Sequence, residues 1–180
     1  MSRNTSRTRA VALVIGLTAL TGALAAGVPS LSGSATFEIL NRPQSLADTV
    51  AIQEYRGEPI PQLATARLAG TDGSGRRYFV AQNDEEVCLI IVTSPESASG
   101  SCDSSNGAAT GRLWNKFGDD STSHLAMVVP DGFFEATLTG VEQPTLRTNN
   151  LVVVPAKRGV AQTAVFHGAL GRTITVATGS

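Results

Sequence analysis

Apolar positions fall along this chain in three different patterns. A single uncharged stretch, "AVALVIGLTALTGALAAGV", runs from Ala10 to Val28. Between Phe37 and Gly70 the apolar residues are scattered and broken by Pro and Gly. From residue 76 onward they gather into short, β-branched runs separated by turn residues.

In the second region "SLAD" reads as a helix start. The Ser45 side chain can cap a helix while Asp48, three residues later, faces its positive end, a capping-box pattern. Leu46 and Val50 then share one face, and Gly57 with Pro59 ends the helix. A second short helix is expected to begin at Pro61 and stop by Gly70.

In the third region "RRYFVAQ" and "VCLIIV" flank Asn83 to Glu86, a polar tip of hairpin length. After a serine-rich loop come "GRLWNKF", "HLAMVV", "FFEATL", "NLVVV", "TAVFHG" and "RTITVAT". The intervals are too short for crossover helices, so the runs predict an antiparallel sheet of about six to eight strands. The expected fold class is α+β and β-rich: an N-terminal apolar helix, one or two short helices, then a small antiparallel sheet, sandwich or open barrel.

The first stretch changes the picture of where the protein sits. Arg3, Arg7 and Arg9 precede it, a basic flank that the positive-inside rule keeps in the cytoplasm. Two readings stay open. A retained transmembrane anchor needs close to 20 apolar residues, and the stretch reaches about that length. A cleaved signal peptide needs small residues before the cut, which "ALA" at Ala23 to Ala25 or "GSA" at Gly33 to Ala35 supplies. The expected organisation is a basic cytoplasmic tail at 1–9, an anchor or signal-peptide core at 10–28, a juxtamembrane connector with a short helix at 29–60, and an extracytoplasmic β-rich domain at 61–180.

With the three leading arginines set aside, 11 of the 14 basic residues face all 15 acidic ones, a net charge of −4. No basic face remains for nucleic acid or anionic lipid, and nucleic acid is excluded as a partner.

Cys88 and Cys102, the two cysteines, lie in the exported part, where an oxidising compartment lets a disulfide persist. The enclosed "LIIVTSPESASGS" begins as a strand and ends as a polar loop, so a bridge is expected to tie a mobile loop to a core strand. A metal site is disfavoured because neither cysteine has a Cys or His at ligand spacing.

"VPDG" at Val129 to Gly132 reads as a turn. Pro130 and Asp131 suit the central positions and Gly132 the left-handed one, closing a hairpin between the runs on either side. That reading accounts for Asp131 without a site.

Candidate chemistry is sparse. His124 and His167 are the two histidines, read as strand-end residues near solvent. Asp119 and Asp120 precede "STSH", but no nucleophile elbow occurs. "GTDGSGRR" at Gly70 to Arg77 lacks the lysine and helix of a phosphate loop and reads as a solvated turn. Trp114 reads as a partly buried strand residue. No catalytic, metal or cofactor-binding residue is assigned, and no cofactor is expected.

Several short motifs together resemble a group of uncharacterised small exported or membrane-anchored proteins of high-GC Gram-positive (actinobacterial) bacteria. They are Arg42-Pro43 with Ala47-Asp48, "ARL" at Ala66 to Leu68, "RRYFVA" before "VCLI", Cys102, the "VPDG" turn and "NNLVVV" at Asn149 to Val154. The similarity covers most of residues 37 to 155. Met127 and Val128 stand where the group's pattern has a glycine and a leucine. The resemblance implies a single apolar N-terminal segment, two cysteines and export, and it implies no catalytic residue.

Two function classes follow. One is a non-catalytic extracytoplasmic module, membrane-anchored or secreted, that binds a protein, peptide or envelope component. The other is a cell-envelope hydrolase with an unrecognised active site. The scarcity of catalytic side chains favours the first.

Overall fold

The computed structural model describes residues 37–118, 122–141, 144, 146–148, 150–157 and 160–179; the basic tail and the apolar stretch lie outside the described residues. Among the described residues the chain is β-rich, with three short α-helices and eleven strands in three antiparallel sheets. The first sheet is a meander of β1 (Arg67–Thr71), β2 (Arg77–Gln82), β3 (Glu86–Ser94) and β4 (Ser97–Ser104). The second runs in the order β5 (Trp114–Gly118), β6 (Ser123–Val128), β9 (Leu151–Pro155), β8 (Leu146–Thr148), and the third β11 (Thr173–Thr178), β10 (Gln162–Gly168), β7 (Phe133–Leu138).

The side-chain pattern dictates how these sheets stack. Tyr78, Val80, Val87, Leu89 and Ile91 of the first sheet meet Ala126, Val128, Leu151 and Val153 of the second in one core. The alternate residues of the same second-sheet strands, Leu125, Met127, Val152 and Val154, point the other way and meet Phe133, Ala136, Leu138, Ala164 and Phe166 of the third. The second sheet is therefore buried on both faces, which is why β6 and β9 read as unbroken apolar runs. In β10, by contrast, buried and partly exposed residues alternate, because the third sheet has one face in water.

The outer face of the first sheet, with Phe79, Ala81, Cys88 and Ile90, is covered by Ala51, Leu63 and Ala66. Ala51 belongs to α2 (Leu46–Gln53), and Leu63 to a 3-10 turn, Pro61–Thr65. Residues 37–60 are thus part of the folded unit, and Phe37, only 1% exposed, enters the first core.

The capping box forms as the sequence suggests: Ser45 Oγ accepts from Asp48 N, and Asp48 accepts from Ser45 N. The helix face does not. Leu46 and Val50 are exposed, at 80% and 46%, while Asp48 is buried. Polar bonding decides the buried side here, because the Asp48 carboxylate takes both terminal nitrogens of Arg42, at 2.5 and 2.8 Å, and the Leu68 main-chain N–H at 2.6 Å.

The second expected helix is only the 3-10 turn. From Arg67 the chain is strand, and Gly70 lies inside β1 at a register shift against β2 rather than ending a helix. A Cβ there would sit 3.1 Å from Leu146 Cδ2, so β1 and β8, on the margins of two different sheets, run close together. Polar or glycine-bearing strands (β1, β4 and β8) carry the strand count beyond the expected six to eight.

Candidate functional site

The VPDG turn forms, with Phe133 N donating to Pro130 O at 3.2 Å and Gly132 at φ +84°. The strands it joins do not pair with each other. β6 pairs with β5 and β9, whereas β7 pairs with β10 in the next layer. Both flanking runs have one face against the same core, so pairing them in one sheet would leave that core uncovered. The turn is a passage between sheets.

Asp131 does more than turn the chain. Its Oδ1 accepts the Glu38 main-chain N–H and the Asn150 side-chain amide, each at 2.9 Å. Asn150, 3% exposed, also donates to Val129 O and accepts the Ile39 N–H, both at 3.0 Å. The first turn of a helix has N–H groups without intrahelical partners. Here two of them, at the start of α1 (Glu38–Asn41), are satisfied by side chains from turns about 100 residues away. The latch fixes the N-terminal segment over the margin where β1 and β8 approach.

Two depressions flank this latch and share Glu38 and Thr148. One, of about 540 Å³, is bounded by Glu38, Asp131, Phe133, Phe134, Arg147 and Thr148. The other, of about 400 Å³, is bounded by Glu38, Ile39, Arg42, Leu68, Thr148 and Asn150. Together they make an open groove along β8 with carboxylates (Glu38, Asp131) and guanidinium groups (Arg42, Arg147) on its walls. Phe134, 59% exposed, offers an aromatic surface there, and Arg147 donates to its carbonyl oxygen.

The cysteines are bridged, Cys88 to Cys102. The serine-rich segment is not a loop. It is strand β4, and the bridge is a rung between two directly opposed residues of β3 and β4. Main-chain pairing to β3 overrides the polar side chains of "SASGSCDS", since an edge strand need bury only one face, or none. Glu86 lies within 4.8 Å of both sulfurs, but oxidised sulfur offers no thiolate to a metal.

His124 sits in a cluster that sequence reasoning missed. Its ring stacks on Phe117, and its Nε2 lies 3.5 Å from an Arg76 nitrogen. Arg76 in turn pairs with Asp72 at 2.7 Å, and the buried Tyr78 hydroxyl donates to the same Asp72 oxygen at 2.7 Å. Asp72 also accepts the N–H groups of Ser74 and Arg76, so the glycine-rich stretch at 70–77 is a turn whose tip, Gly73 to Gly75, is exposed as expected but which is wound around a buried carboxylate. The signal was an Asp two residues before a serine in a glycine-rich turn, the Asx-turn pattern.

Burial alone would raise the Asp72 carboxyl, but the donors from Tyr78, Arg76 and Ser74 outweigh it and hold it below its ordinary value. Burial and the bond to Asp72 push the Tyr78 phenol up. Burial and the Arg76 charge lower His124. Four donors fill the acceptor positions of Asp72, leaving it nothing to offer a substrate. The cluster locks the β1–β2 turn to the tip side of β5 and β6.

His167 lies on the solvent face of the third sheet, opposite Glu135, with Nε2 3.2 Å from Thr137 Oγ1. Trp114 is half-buried in β5 against the second core. Asp119 and Asp120 lie outside the described residues. Of the residues singled out from the sequence, Asp131 and Gly132 of the turn and Arg42, Leu68 and Asn150 of the short motifs border the groove. Glu38, Phe134 and Arg147 carry no local pattern that marks them.

No family model matches the chain, and neither does any curated protein or solved structure.

Proposed function

We propose that this protein is an exported, non-catalytic binding module, membrane-anchored or secreted, which takes an extended segment of a protein, peptide or envelope component in the groove along β8. The observation that supports this is the meeting of the two depressions at Glu38 and Thr148, with charges of both signs and an exposed aromatic ring. Such walls suit a partly polar ligand held by paired charges and one apolar anchor. The disulfide supports an oxidising compartment, and the apolar stretch 10–28 supplies the route across the membrane.

A photo-reactive phenylalanine analogue at position 134 of the full chain, activated in living cells, tests the groove. A discrete adduct should form and be lost when Arg147→Glu is added. The same analogue at Thr139, in the exposed turn after β7, should not give that adduct. Equal adducts at both positions, or none at 134, would overturn the reading. Fractionation with intact-mass measurement separates the two locations: a full-length chain in the membrane means an anchored module, a shortened chain in the medium a secreted one.

A further inference from the structure

The third sheet ends on β11, and the direction of its main-chain groups can be worked out. Gly168 N donates to Arg172 O at 2.8 Å, and the register runs from His167 opposite Thr173 to Gln162 opposite Thr178. Hydrogen-bonded and non-bonded pairs alternate in an antiparallel ladder. Arg172, Ile174, Val176 and Thr178 therefore bond to β10. Thr173, Thr175 and Ala177 direct their N–H and C=O groups outward, and all three residues are exposed.

Strand edges are ordinarily guarded by charge, proline, bulges or a cover. Other margins of this protein follow the rule. The Arg42–Asp48 pair bonds to the Leu68 main chain on the outer side of β1, β5 carries Lys116, and β8 is three residues long. In β11, "TITVAT", there is no charge, proline or glycine, and its pairing with β10 is without a bulge. Four of its residues are threonine or isoleucine, which favour strand.

We propose that β11 is an interaction edge whose partner is β11 of a second copy of this chain, paired antiparallel about a two-fold axis at Thr175. The register is self-complementary. Thr175 faces its own equivalent, Thr173 faces Ala177, and Ile174 faces Val176. All the outward main-chain groups of Thr173, Thr175 and Ala177 then meet partners, about six hydrogen bonds in an isologous contact. Ile174 and Val176, half-buried against the second core, continue the apolar face from one copy into the next. The charges also fit: Arg172 falls opposite Thr178, so no like charges meet. The result is a six-stranded sheet. A contact of one short edge is smaller than a standard stable interface, so dimer and monomer exchange with concentration.

The two-fold at Thr175 supplies the test. Directly opposed, hydrogen-bonded residues stand about 5.5 Å apart at Cα, within disulfide range, and the native cysteines are already bridged to each other. Full-length Thr175→Cys is expressed in its own cells and run on non-reducing gels, beside Thr137→Cys on β7, the far strand of the same sheet. Thr175→Cys should give a disulfide-linked dimer, at about tenfold the level of Thr137→Cys. Adding Ala177→Pro, which removes an outward N–H without touching the ladder to β10, should abolish it while circular dichroism stays unchanged. No dimer, equal dimer from Thr137→Cys, or a dimer that survives the proline would overturn the proposal. So would an adduct of Thr175→Cys with another protein in place of the dimer, which would give the edge to a foreign strand.

Discussion

The Asp48 carboxylate accepts the Leu68 main-chain N–H at 2.6 Å, standing where a neighbouring strand would lie beside β1. Arg42 completes the substitution by donating to Leu68 O at 3.3 Å while pairing with Asp48. A side-chain ion pair thus closes a sheet edge that the main chain leaves open.

Asp48→Asn should therefore cost more than the loss of a helix cap. It leaves Arg42 without its counter-charge, and because 37% of the Arg42 side chain stays in water, the cost is about 2 kcal/mol, below that of a fully buried pair. The pH dependence has a definite sign. Burial alone raises the Asp48 carboxyl, but bonds from Arg42, Ser45 and Leu68 more than offset this and hold it well below its ordinary 3.8. A carboxylate depressed in the folded state stabilises fully above its unfolded value, and that contribution is lost as pH falls towards the folded one. Urea denaturation should show stability dropping as pH falls below 3.8, with a shallower drop in Asp48→Asn. An unchanged slope would remove Asp48 from this role.

The latch at Asp131 gives a prediction that separates shape from charge. Asp131→Ala removes the acceptor for Glu38 N and Asn150 Nδ2 and should lose about 1–2 kcal/mol. Asp131→Asn keeps a carbonyl oxygen in place and should lose less than half as much. Asn150→Ala leaves the Val129 carbonyl and the Ile39 N–H unpaired and should cost more than either. Equal losses for the two Asp131 variants would mean that the charge, not the acceptor, holds the turn.

These contacts mark where the sequence stops being informative. "VCLIIV" and "NLVVV" were legible as strands because burial on both faces leaves an unbroken apolar run. "SASGSCDS" was not, because its pairing comes from the main chain of β3 and from Cys88, neither of which shows in its own side chains. The cap at Ser45 was legible within four residues, but the burial of Asp48 depends on Leu68, twenty positions away. The turn at Pro130 to Gly132 was legible too, while the destination of its strands was not, since a two-residue period names a face and not a partner. The groove shares this limit: Glu38 of α1, Asp131 of the turn and Arg147 of β8 come together only in the folded chain.

The disulfide offers a third check. The bridge spans a sequence separation of 14, and the chain-entropy model assigns a loop of that size about 3 kcal/mol. Cys88→Ser with Cys102→Ser should lower stability by about that amount, and thiol labelling of the denatured, unreduced wild type should find no free cysteine. Because the bridge is a rung of an existing hairpin, the double variant should keep its far-ultraviolet circular dichroism. Loss of β signal would mean that β4 pairs only while the bridge holds it.

His124 gives the last prediction, and its sign is opposite to the common one for histidine. Burial first, and the Arg76 charge second, lower its affinity for a proton below the ordinary 6.5. The unfolded chain then binds the proton more readily than the folded one. Stability from this group is present above 6.5 and falls as pH drops towards the folded value. The geometry shows why the cation is unwelcome: its Nε2 faces Arg76, and its Nδ1 is buried with no partner among the described residues. In nuclear magnetic resonance titration the His124 ring should change protonation below 6.5. His124→Gln should flatten the stability curve between neutral and mildly acidic pH. A His124 ring that titrates above 6.5 would mean that Asp72, not Arg76 and burial, governs it, and the cluster would have to be redrawn with the histidine as a cation.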